Sequence, residues 1–173
     1  MTYDTTMPTD FSDGQNVTEL HLDPMARNID WLRNKYQLIA CKPADETVNN
    51  SATFQDDDHL QLSMELGTTY LLEFEGVYFS GVTPGFKTQF VVPAGVSGPT
   101  WGIGPNSFSG TSVTSLLNWG GTGADQRSKV KGRIVTTTTS GLLKLQWAQF
   151  TANASNTIIR AGAMLRLTVI SQP

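Results

Sequence analysis

Two carboxylates set two residues apart, Glu73 and Glu75, are the residues of this chain best spaced for chemistry. On an extended strand they share one face about 7 Å apart, within the range where paired carboxylates cleave glycosidic bonds. Catalytic pairs normally come from separate elements flanking a cleft, and these two lie on one element. Their electrostatic complement is also in the sequence. Arg127, Lys129, Lys131 and Arg133 alternate along a second extended stretch. Four cations on one strand face need counter-charges or water. Pairing with Glu73 and Glu75 across strands, within the chain or between subunits, is the expectation. An anion-binding surface is the alternative.

Other chemistry-bearing residues are scattered. Asp56, Asp57 and Asp58 precede His59 and offer hard oxygen donors suited to Ca²⁺. Three consecutive residues on an extended chain point to alternate faces, so a solvated turn is the preferred reading and no metal is expected. His21 and His59 pair with no nucleophile. Cys41, the single cysteine, follows Leu38-Ile39-Ala40 and reads as a buried, inert thiol. Gly120-Gly121-Thr122-Gly123 lacks the Lys-Ser/Thr pair of a phosphate cradle and reads as a turn. Trp101 and Trp119 lie in Gly-rich sequence near Asn106, an arrangement that could stack and hydrogen-bond a sugar. Packing in a core or interface is the commoner fate of a Trp. The expectation is a protein with no catalytic residues and no cofactor.

The elements that position these residues are strands. Leu60, Leu62, Met64 and Leu66 alternate with polar residues. A long strand is expected over 69–80, with Tyr70, Leu72, Phe74 and Tyr78 on one face. Further strands are expected at 86–92, 128–138, 142–150 and 164–170, with short ones at 52–54, 113–117 and 157–160. Charged residues are only 16% of the 173-residue chain, while Gly, Ser, Thr and Asn are abundant. Short strands with tight turns suit that composition, so the fold class is mainly β: an antiparallel, jelly-roll-like sandwich over residues 49–173.

Residues 1–48 read differently, as an extended arm, one short helix and a connector. Asp23 can cap a helix with Pro24 at its first position, and Met25, Ile29 and Leu32 form an apolar stripe beside Trp31. A helix this short needs a surface to pack on, either its own sandwich or a neighbouring subunit. Residues 1–48 hold eight acids and four bases, leaving seven acids and eight bases in the rest. An acidic arm favours a basic docking surface. The net charge of −3 argues against nucleic acid as a partner. No apolar run of about 18 residues is present, so no membrane insertion is expected. One cysteine allows no internal disulfide, so a secreted disulfide scaffold is excluded.

Several stretches together resemble a β domain of tailed-bacteriophage virion proteins. They are Asp56-Asp57-Asp58-His59-Leu60-Gln61-Leu62, Thr69-Tyr70 with Phe74-Glu75-Gly76, and Thr83-Pro84-Gly85-Phe86-Lys87-Thr88-Gln89-Phe90 with Pro93-Ala94-Gly95. The closing run is Leu145-Gln146-Trp147-Ala148-Gln149, then Ala152-Asn153-Ala154, then Ile159-Arg160-Ala161-Gly162-Ala163-Met164-Leu165-Arg166-Leu167. Phe11-Ser12-Asp13-Gly14 with Arg27-Asn28 resembles the adaptor that opens many phage fibre and minor tail proteins. The resemblance covers roughly residues 11–170, departing at Met164, where an aromatic is usual, and at Gly85, where an acid is usual. It implies a non-enzymatic virion protein, usually a homotrimer. Its partners would be other virion proteins of the tail or the major capsid protein, with a host-surface glycan as a further candidate. A tail fibre or tail-tip part leads, with capsid decoration and carbohydrate recognition as alternatives. Attachment would fall to Phe11, Asp23, Met25, Ile29, Trp31 and Leu32.

Overall fold

The computed structural model describes residues 37–103, 108–110 and 112–171. The expected arm and helix, with Phe11, Asp23, Met25, Ile29, Trp31 and Leu32, lie outside the described residues. The described residues are all β. In chain order the strands are β1 (Gln37–Cys41), β2 (Glu46–Val48), β3 (Gln55–Met64), β4 (Thr69–Ser80), β5 (Phe86–Val91), β6 (Val96–Ser97) and β7 (Thr100–Ile103). They continue as β8 (Phe108–Gly110), β9 (Leu117–Gly120), β10 (Asp125–Thr136), β11 (Gly141–Gln149), β12 (Thr157–Ile159) and β13 (Met164–Ser171).

Two antiparallel sheets result. The larger runs β1-β13-β4-β10-β7-β8, with β12 joining β2 to β4 and β6 pairing with β10. The smaller runs β3-β11-β5-β9. This is the expected sandwich. Period-2 patterning explains it: one face of β4 buries Tyr70, Leu72, Phe74 and Tyr78, and one face of β11 buries Leu143, Leu145 and Trp147. The two faces meet in one core. Phe86 of the smaller sheet stacks on Tyr78 of the larger at 4.4 Å between ring centroids, and Trp147 lies 6.0 Å from Phe86.

Residues 37–48, expected as connector, instead form β1 and β2 within the larger sheet. The strand expected at 52–54 is loop, and the one expected at 113–117 begins only at Leu117. Cys41 is exposed rather than buried. The reason is parity on an edge strand. Leu38 and Ala40 turn toward the core, so Gln37, Ile39 and Cys41 turn away from it.

Gly120-Gly121-Thr122-Gly123 is a turn between β9 and β10. Its Gly123 N–H donates to the Ser80 carbonyl at 2.9 Å. A Cβ on Gly121 would stand 2.0 Å from the Gly81 carbonyl oxygen, so close backbone approach requires glycine there.

Tyr78 gives the core a pH dependence. It is fully buried, its hydroxyl 2.9 Å from the Trp119 carbonyl and 2.6 Å from Gln126 Oε1. Burial pushes its phenol from 10.0 up to about 12. The unfolded chain therefore loses this proton first. The stability it contributes is full below about pH 10 and declines between about 10 and 12. Unfolding free energy measured against pH should fall through that window, and Tyr78→Phe should flatten the fall. An unchanged alkaline limb in the variant would contradict this.

Candidate functional site: the charged outer face of the larger sheet

The side of the larger sheet turned away from the core carries the expected charged residues. The β4–β10 register sets Lys129 opposite Glu75 and Lys131 opposite Glu73. On the other edge of β4, Arg166 of β13 also stands opposite Glu73. Lys129 Nζ lies 3.1 Å from Glu75 Oε2, and Lys131 Nζ lies 2.9 Å from Glu73 Oε1. Arg166 contacts the second oxygen of Glu73. Glu73 is thus a nearly buried carboxylate, 7% exposed, clamped by two cations from flanking strands. The Lys131 hydrogen bond holds its carboxyl below the ordinary glutamate range, against an opposing push from desolvation and with help from Arg166. Glu73 and Glu75 therefore act as counter-charges for β10 and β13.

Arg127 and Arg133 sit further along β10, opposite Val77 and Leu71, both exposed. Among the described residues neither has an ion-pair partner. Arg127 borders an open depression of about 360 Å³ with Cys41, Glu75, Val77, Gly162 and Met164. This mixture of thioether, thiol, aliphatic carbon and paired charge presents a surface for packing. Arg160 closes one end of the sheet. It donates to Asp45 at 2.8 Å and to Asp125 at 2.9 Å, and its guanidinium lies over the Phe79 ring at 5.9 Å.

The sugar-stacking reading fails at Trp119. Its side chain is fully buried, with Nε1 donating to Thr88 Oγ1 at 2.9 Å, so no ring face is open to a ligand. The Trp101 side chain and Asn106 lie outside the described residues.

The Asp run is divided among three tasks. Asp56 pairs with Lys144 at 2.8 Å and accepts from Gln146. Asp57 is buried against Lys42 Nζ at 2.8 Å. Asp58 is exposed. A bulge allows this, because the β3–β11 register jumps from Gln61 opposite Lys144 to Asp56 opposite Gln146. The extra β3 residues turn Asp57 inward, where its Oδ1 accepts from the backbone N–H groups of His59 and Leu60 at 3.0 and 2.9 Å. Strict alternation conceals such a turn.

Sequence reasoning missed Lys42, Arg160 and Gln149 as fixed polar anchors. The available signals were a lone Lys ending the apolar run 38–41 and an uncharged Gln ending a strongly apolar strand.

No protein-family model matches the chain. No curated protein matches it either. Among solved structures, it is similar to a chain of the tripod from the baseplate of bacteriophage Tuc2009. The identity is 11% and the TM-score 0.33, covering 97% of this chain and 78% of that one. A TM-score of that size does not define a shared fold.

Proposed function

We propose that this chain is a structural protein of a bacteriophage virion. In this reading residues 1–36 attach, and the β domain from residue 37 onward projects as a rigid body. Three chains associate, as a tail fibre or tail-tip component. One observation carries the reading: the described residues of the virion-like motifs include the framework's own anchors. Asp57 fixes the bulge, Trp147 and Phe86 fill the core, Gln149 ties three loop groups, and Arg160 joins Asp45 to Asp125. Motif residues spent on framework support a role of holding shape over one of catalysis.

Deleting residues 1–36 cuts immediately before β1 and leaves every described strand intact. The shortened chain should unfold cooperatively yet fail to enter assembled particles. The full chain should have the native mass of three copies. A monomeric mass would remove the trimer, and particles that take up the shortened chain normally would remove the attachment role. Threefold density on capsid faces would move the protein to capsid decoration. Intact particles that cannot adsorb without it would place it in the tail.

A further inference from the structure

We propose that Lys42 and Asp57 condense to an intramolecular isopeptide bond, formed by the chain itself with Glu46 carrying the protons. Lysine is almost never fully buried, yet Lys42 is 2% exposed and Asp57 is 2% exposed. The three groups of an amide-forming site are already assembled. The nucleophile, Lys42 Nζ, stands 2.8 Å from Asp57 Oδ2. The electrophile, the Asp57 carboxyl carbon, has its other oxygen held by two backbone N–H groups, those of His59 and Leu60, at 3.0 and 2.9 Å. Two such donors would steady the negative charge of a tetrahedral intermediate. The proton carrier, Glu46, touches the same Nζ through Oε2, while Gln55 Nε2 fixes its Oε1 at 2.8 Å. Reacting groups held at this spacing supply most of the entropic part of a barrier.

The step balances without an oxidant or co-reactant. The Lys42 ammonium passes one proton by way of Glu46 to Asp57 Oδ2, leaving a neutral amine and a carboxylic acid. Nζ then attacks the carboxyl carbon, and the electron pair goes to Oδ1. Glu46 takes a second proton from Nζ and delivers it to Oδ2. The bond from carbon to Oδ2 breaks, water leaves, and an amide remains. Three protons on nitrogen become one on the amide and two on water. Burial lowers the Lys42 pKa, but hydrogen bonds to Asp57 and Glu46 outweigh it and hold the amine above its ordinary range. The reactive amine is therefore a minor species and closure is slow, but one event per chain suffices. A neutral amide also removes two charges from a site where their desolvation is costly. The same exclusion of water protects the product from hydrolysis.

Intact mass of the purified full chain, followed until it no longer changes, is the test. The expected final mass falls one water below the sequence value, after allowance for removal of the first Met. Protease digestion should yield a branched peptide joining Lys42 to Asp57. An unchanged mass, or lost water mapping elsewhere, overturns the proposal. Glu46→Gln should slow the mass change at least tenfold while thermal unfolding stays cooperative. Asp57→Asn should lose ammonia in place of water, a readout that a purely structural ion pair would not produce.

Discussion

Phe86→Ala is expected to remove about 3–5 kcal/mol of stability, the usual cost of truncating a buried Phe. The effect should lie near the top of that range because the neighbours cannot close the gap. Phe86 is fully buried and joins the two sheets, stacked on Tyr78 at 4.4 Å and lying 6.0 Å from Trp147. Tyr78 is held by hydrogen-bonding contact with Trp119 and Gln126, and Trp119 is itself tied to Thr88. Side chains anchored at their polar ends cannot swing into a cavity, so the void persists with its lost dispersion contacts. Phe86→Leu retains most of the volume and should cost less than half as much. Urea denaturation of both variants, with an unchanged m-value, is the measurement. A loss below about 1.5 kcal/mol for the Ala variant would mean that the sheets slide together, contrary to this account.

Gln149→Ala is expected to cost about 3 kcal/mol, although it removes little apolar surface. Gln149 is fully buried and its amide serves three loop groups. Its Oε1 accepts from the Ser51 N–H at 3.1 Å and the Asn153 N–H at 2.9 Å, and its Nε2 donates to the Ser155 carbonyl at 2.6 Å. Removal leaves two donors and one acceptor unpartnered. A stranded buried polar group costs more than an average hydrogen bond contributes. Water can reach the partly exposed members, which keeps the total below the sum of three full penalties. Gln149→Glu keeps the acceptor but turns an anionic oxygen toward the Ser155 carbonyl, so it should not restore stability. Hydrogen exchange in the Ala variant should accelerate more at the Ser51 and Asn153 amides than in the β4–β10 ladder, whose protection falls only with the global loss of stability. Acceleration spread evenly over both would argue against a local role.

What could be read from the sequence tracks how local each signal is. The strand 69–80 was legible to the residue, because its alternation is long and flanked by turn residues. Those at 86–92 and 164–170 were legible to within one residue. The pairing of Glu73 and Glu75 with Lys129 and Lys131 followed from opposite charges on two alternating strands, and the register delivers it. The edge strands β1 and β2 were hidden because three to five residues give too little periodicity and their partners β12 and β13 lie more than a hundred residues away. The inward turn of Asp57 depends on a bulge and on Lys42, neither visible from spacing. Trp119 shows the converse error: its glycine neighbours suggest an open loop, but they let the chain turn tightly while the indole enters the core.

The position of β1 at the sheet edge has a mechanical consequence. The chain enters this domain at Gln37 and runs along a strand bordered by β13. Tension drawn through the preceding residues would load β1 from its free end and break its hydrogen bonds singly, like a zip. Immediately beyond lies Lys42, whose backbone N–H donates to Ala163 and whose carbonyl accepts from Gly162. Its side chain is sunk between Asp57 and Glu46. Extension would therefore proceed a few residues at low force and then meet a stop. A domain so built yields briefly under a sudden pull and keeps its body folded.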